Sequence, residues 1–123
     1  PLSSMSPTIV LKDGKPFMVL GSPGATKIIS TVSQVISRVI DHNMGMQEAI
    51  DAPRLYDNTS DTINVETRVS DETVKKLQEM GHKVNVTSDW DRGMGSVQGV
   101  MYKEDGTLEG GADPRRDGKA LGF

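Results

Sequence analysis

FMVLGSPGATKIISTVSQVISRVIDHN, residues 17–43, decides the architecture. Phe17 to Leu20 are β-rich, whereas the residues from Thr26 onward carry Ile28, Ile29, Val32, Val35, Ile36, Val39 and Ile40. That i, i+1, i+4, i+7, i+8, i+11, i+12 series is one face of a helix. The opposite face, Lys27, Ser30, Thr31, Gln34, Arg38 and Asp41, is expected towards solvent or another layer. Between strand and helix stands Gly21-Ser22-Pro23-Gly24-Ala25, a turn that feeds straight into the helix, with Thr26 expected to begin it.

Upstream, residues 8–12 (TIVLK) pair naturally with residues 17–20 across Asp13-Gly14-Lys15-Pro16, since Asp-Gly readily takes positive φ, so a hairpin is expected. Downstream, Gly45 supplies a helix stop, and MQEAIDA forms a short second helix ending near Ala52, because Pro53 disfavours the α region before it. A polar loop, Asp57 to Asp61, precedes a strand near Ile63 to Glu66. A third helix over SDETVKKLQEMG has Ser70 as cap, a Val69–Val74 staple and Gly81 as terminator. Strands follow over residues 83–87, residues 96–102 and near Leu108, and the tail GGADPRRDGKALGF reads as loop. The order ββααβαβββ predicts an α+β layer structure rather than a doubly wound sheet.

The 123 residues suit one domain, residues 1–123, burying about two-thirds of the unfolded surface. Apolar residues are 35% and aromatics 4%, so Ile, Val, Leu and Met must build the core. Fourteen basic against seventeen acidic side chains give a charge of −3, which offers no cationic surface for nucleic acid. The absence of cysteine excludes disulfides, thiolate zinc sites and a cysteine nucleophile in this chain. No apolar run approaches the ~18 residues of a membrane span, so a soluble chain is expected. A start at Pro1, without initiator methionine or apolar leader, is read as the product of a cut.

The glycine turn invites comparison with the phosphate loop G-x-x-x-x-G-K-[ST]. Gly21 and Lys27 fit, but Thr26 stands at the second glycine and Ile28 at the magnesium hydroxyl, so nucleotide binding is rejected. Two readings stay open: a tight turn alone, or an oxyanion hole formed by the amides of Gly24 and Ala25 at the positive end of the helix. Ser3 and Ser4, set between Pro1 and Pro7, are likewise either loop or a pair serving one carboxylate, which would require an irregular path. His42 and His82 fall on different elements without ligand spacing, so no metal site is expected. Trp90, within SDWDRGMG, is read as a binding-loop aromatic or, as a lone tryptophan more often is, as partial core or a lid over it. Asp71, Glu72, Lys75 and Lys76 read as a solvated face with Glu72 and Lys76 paired, and Asp113-Pro114-Arg115-Arg116 as a turn with surface arginines or a structural ion pair.

PLSSMSPTIV, GSPGATKIISTVSQVI, MQEAIDAPRL and GGADPRRDGKALGF, in this order, resemble the gamma-glutamyltranspeptidase family, specifically the C-terminal part of its small subunit. The similarity runs from Pro1 to Phe123. It implies part of the αββα four-layer sandwich of N-terminal-nucleophile hydrolases, made as a precursor that cleaves itself into large and small subunits. A threonine at the small subunit's new N-terminus then attacks gamma-glutamyl amides such as glutathione, its own α-amine serving as base, and the acyl group passes to water or to amino-acid or peptide acceptors. The resemblance implies that Ser3 and Ser4 hold the glutamyl α-carboxylate and that Gly24 and Ala25, usually Gly-Gly, supply the oxyanion-hole amides. No cofactor is implied, and the location implied is extracellular or periplasmic.

The nucleophilic threonine, the segment between it and PLSSM, and the large-subunit arginine for the substrate carboxylate are not in this chain. No turnover is expected from it alone. Rival readings are a cephalosporin acylase, a capsule poly-gamma-glutamate transpeptidase, or a non-catalytic binding or structural domain.

Overall fold

The computed structural model describes residues 4–57 and 59–123. Strands β1 (Thr8–Lys12) and β2 (Lys15–Gly21) form the expected hairpin, turning on Asp13 and Gly14 at φ 53° and 74°, the left-handed pair that a two-residue hairpin turn requires. Helices α1 (Ile28–His42) and α2 (Met46–Asp51) follow, then β3 (Leu55–Asp57), β4 (Thr62–Val65), α3 (Asp71–Glu79), β5 (Lys83–Val86), β6 (Gln98–Tyr102) and β7 (Leu108–Ala112). One antiparallel sheet has the order β1-β2-β6-β7; a second has β3-β4-β5, antiparallel then parallel.

The core lies between the first sheet and helices α1 and α2. Met18 and Leu20 of β2 point into it, meeting Ile28, Val32, Val35 and Val39 of α1, Met46, Ala49 and Ile50 of α2, and Val97. Each fully buried aliphatic side chain contributes about 1.5–3 kcal/mol. Helix α2 lies directly on β6 and β7 because the strands carry glycines beneath it. A β-carbon on Gly111 would come within 2.7 Å of Ile50 Cδ1 and 3.0 Å of Met46 Cγ. The first amide of α2, at Met46, donates to Glu109 Oε1 of β7 at 2.7 Å, placing a carboxylate at the helix's positive end.

Several expectations need correction. Residues 25–27 form a 3₁₀ turn, and α1 proper starts at Ile28 rather than Thr26. The buried stripe of α1 is narrower than expected: Ile29 is 75% and Ile40 49% exposed, whereas Thr31, assigned to the outer face, is buried. Its hydroxyl donates to the Met94 carbonyl at 2.8 Å, which makes a threonine acceptable there. Asn43, at φ 54°, ends the helix in the left-handed conformation, and Gly45 instead opens α2 by accepting from the Ala49 amide. Strand β3 was not foreseen, since three residues carry no readable alternation. Strand β6 begins at Gln98, not Ser96, because the amides of Ser96 and Val97 donate to Ser22 Oγ and Asp113 Oδ2 instead of to a neighbouring strand. The tail is not all loop, as Gly110 to Ala112 complete β7.

Helix α3 matches its sequence. Ser70 Oγ accepts from the Thr73 amide, Gly81 sits at φ 96°, and Glu72 pairs with Lys76 at 2.8 Å on the exposed face. Among the described residues no helix is long and apolar enough to cross a membrane, and no three His, Cys, Asp or Glu side chains gather to hold a metal.

Candidate active site

Strand β2 ends at Gly21, and the chain leaves it through Ser22, fully buried, whose Oγ donates to the Pro23 carbonyl at 2.8 Å and accepts from the Ser96 amide at 2.9 Å. Gly24 follows at φ 144° and Ala25 at φ 51°. Consecutive positive φ values turn the backbone sharply before the Lys27 amide closes the 3₁₀ turn on the Gly24 carbonyl at 3.0 Å. The amides of Gly24 and Ala25 donate to no other described residue. They stand at the head of α1 as free N–H groups with the helix dipole behind them, an arrangement that stabilises negative charge on an oxygen.

A second segment backs the turn. Gly95 Cα would lie 3.2 Å from a β-carbon on Gly24, so residues 92–95 pack against it with room only for hydrogen at both positions. The Met94 carbonyl is fastened by Thr31 Oγ1 of α1 and by Arg54 at 3.2 Å.

Arg54 belongs to a buried ionic network of which sequence reasoning offered only an ion pair in the Asp113–Arg116 turn. Its guanidinium meets Asp113 Oδ2 at 2.6 Å, and Arg115 holds Glu66 through two bonds of 2.6 Å and Asp113 Oδ1 at 3.2 Å. All four side chains are fully buried. The carboxylates are further engaged by backbone: Glu66 accepts from the Arg54 and Asp91 amides, Asp113 from those of Val97 and Arg115. The arginines also donate to the Ile50 and Ala52 carbonyls at the C-terminal end of α2, where positive charge is favoured. Arg38 reaches the same end at Ala49, Ala52 and Pro53; burial first, then the charges of Arg54 and Arg115, lower its pKa to about 10. Burial likewise lowers that of Arg54, against the opposing pull of Asp113. For Arg115 burial is outweighed by the hydrogen bonds and charge of Glu66, and its pKa rises. Arg115 is thus no surface arginine: of the two readings of its turn, the ion pair is the one observed. Trp90 lies as a half-exposed lid on this network, its ring centre 3.5 Å from the Arg68 guanidinium.

Of the expected site residues, Gly24 and Ala25 form the turn just described, and Ser4 lies in an exposed bend at Ser4-Met5. Ser3 lies outside the described residues. The Ser22 amide donates to the Met5 carbonyl at 2.9 Å, which ties the Ser4-Met5 bend to the glycine turn, and Ser6 at φ 41° gives the segment a path unlike a strand. A concavity of about 890 Å³ lies at the other end of β2, around Lys12, Phe17, Tyr102 and Glu104. It holds neither the free amides nor the serine bend, and its Lys12 already faces Glu104 at 3.7 Å.

Residues 1–123 match the family model described as Gamma-glutamyltranspeptidase. The glutathione hydrolase proenzyme of Escherichia coli (strain K12) is 46% identical over 94% of this chain and 19% of its own length, and that of Bacillus subtilis (strain 168) 43% over 100% and 21%. The structure of the T380A mutant of Helicobacter pylori gamma-glutamyltranspeptidase superimposes with a TM-score of 0.82 at 42% identity, covering 94% of this chain and 63% of that one. The chain therefore spans about a fifth of the curated relatives it matches. Its α+β fold, a helical layer on one face of a four-stranded sheet, fits the expected αββα sandwich. The chain belongs to the gamma-glutamyltranspeptidase family.

Proposed function

We propose that this chain forms part of a gamma-glutamyltransferase or glutathione hydrolase and supplies the amides that hold the oxyanion during acyl transfer. One observation carries the reading: two consecutive backbone N–H groups, at Gly24 and Ala25, find no acceptor among the described residues and stand just ahead of α1. In the complete protein a threonine hydroxyl outside this chain attacks the gamma-glutamyl carbonyl, and the carbonyl oxygen moves into the turn as charge builds on it. Collapse expels the amine and leaves a gamma-glutamyl ester, which water or an amine then opens. Ser3 and Ser4 hold the glutamyl α-carboxylate, a role supported for Ser4 by the bond from the Ser22 amide to the Met5 carbonyl that ties its bend to the turn. The chain works as a single unit with the large subunit of the same precursor, outside the cytoplasm.

Gly24→Ala in the complete protein tests the reading. Its β-carbon would meet Gly95 Cα at 3.2 Å, at a φ of 144° that L-residues rarely adopt, so the turn must shift. Losing alignment of an oxyanion donor lowers kcat about 10²–10³-fold; KM for gamma-glutamyl-p-nitroanilide should change little. A variant with unaltered kcat contradicts the assignment. Ser3→Ala with Ser4→Ala should do the reverse, raising KM, and the chain without its precursor partners should release no p-nitroaniline.

A further inference from the structure

In a planar trans peptide the C=O and the N–H point to opposite sides, so whatever holds the carbonyl aims the amide that follows it. The Ala25 amide shares its peptide with the Gly24 carbonyl, which accepts from the Lys27 amide at 3.0 Å. Backbone alone fixes that donor. The Gly24 amide shares its peptide with the Pro23 carbonyl, and no backbone N–H among the described residues reaches that oxygen. A side chain holds it instead: Ser22 Oγ donates to it at 2.8 Å. Local sterics do not resist a flip of this peptide. The proline ring leaves its own ψ free, and Gly24 has no β-carbon to penalise a change of φ. Ser22 is itself fixed. It is fully buried, and its Oγ accepts from the Ser96 amide at 2.9 Å, which leaves its single proton for Pro23. Gly95 keeps the space for this bond, since a β-carbon there would stand 2.7 Å from Ser22 Oγ and 3.2 Å from the Pro23 oxygen.

We infer that Ser22 is a positioning residue for acyl transfer: its hydroxyl holds the Pro23–Gly24 peptide with the N–H turned towards the developing oxyanion. The inference rests on the acyl-transfer reading above and adds to it a side chain that touches neither the substrate nor the reacting atoms. Without the hydroxyl, the peptide is free to turn its carbonyl to the place the amide occupied. A carbonyl oxygen there repels the charge that the amide stabilises. The loss therefore falls on the transition state, while a planar amide, whose oxygen bears less charge, binds nearly as before.

The test uses the complete processed protein, gamma-glutamyl-p-nitroanilide as donor, and as inhibitor the glutamate analogue whose γ-carboxyl is replaced by a boronic acid, which becomes a tetrahedral anion at the nucleophile. Ser22→Ala should lower kcat about 10–10²-fold and weaken the boronate by the same factor, with the donor KM within about twofold of wild type. An unchanged kcat overturns the inference. So does a fall in kcat with an unchanged boronate Ki, which means less active protein, or a joint rise of KM and Ki, which means a distorted pocket. The wild-type boronate complex decides even if Ser22→Ala yields no processed protein. Its crystal structure should keep Ser22 Oγ on the Pro23 carbonyl and place the Gly24 nitrogen about 2.7–3.1 Å from a boronate oxygen; a Pro23 carbonyl released from Ser22 while Gly24 still donates overturns the role of Ser22 alone. A wild-type protein that does not hydrolyse the donor, or whose boronate Ki is no lower than the donor KM, overturns the reading beneath it.

Discussion

Ala25 shows the conflict between local preference and site geometry. An L-alanine at φ 51° gives up about 1–2 kcal/mol relative to its right-handed conformation, and the turn keeps that strain because Gly95 and the Met94 carbonyl fix what surrounds it. Ala25→Gly should relieve it. Glycine's greater unfolded-state freedom offsets roughly 0.4–1 kcal/mol, so the net gain should be about 0.5–1 kcal/mol with kcat retained, measured by urea unfolding and donor hydrolysis of the complete protein. Destabilisation would mean that the left-handed geometry is absent. Positive φ at an alanine is invisible in a sequence, because Gly-Ala reads as a turn followed by a good helix former. The glycine turn itself was legible, since Gly-Ser-Pro-Gly stands between a β-rich run and a strongly periodic helix.

At the scale of elements, the Arg54, Glu66, Asp113 and Arg115 network joins α2, β4, β7 and the segment behind the turn. Arg115→Ala leaves Glu66 buried with one guanidinium gone and should cost about 3–5 kcal/mol. Many buried ion pairs can be replaced by apolar groups of equal volume without loss. Here the exchange Arg115→Met with Glu66→Leu should still destabilise, because Glu66 also accepts from the Arg54 and Asp91 amides, which would be orphaned. A double variant as stable as the parent in denaturant would show that those amides find other acceptors. The network could not be read beforehand, since Glu66 and Arg115 stand forty-nine positions apart and only the tertiary fold brings them together. The long helix was readable because its apolar spacing is a local property. Its edges, Ile29 and Ile40, were misjudged for the same reason: periodicity names an apolar face but not how much of it this chain covers.

Over the whole molecule, helices cover one face of the four-stranded sheet and leave the other open. Ile9, Val19 and Val100 stand opposite one another across β1, β2 and β6, each exposed, and Leu11, Tyr102 and Leu108 extend the patch. An apolar face of this kind marks an interface, and under the reading proposed above a second sheet of the complete protein would cover it. Val19→Lys, which at a solvent-facing site would change stability by no more than about 0.5 kcal/mol, should prevent recovery of assembled protein. Normal assembly and activity of that variant would show the face to be exposed in the complete molecule.

The proposed acyl transfer depends on where the carbonyl oxygen goes when charge develops on it, and a crystal structure of the complete protein carrying a tetrahedral gamma-glutamyl adduct measures that directly. The adduct's oxygen should lie about 2.7–3.1 Å from the Gly24 and Ala25 nitrogens. An oxygen held by other donors, with both amides facing solvent, would contradict the account.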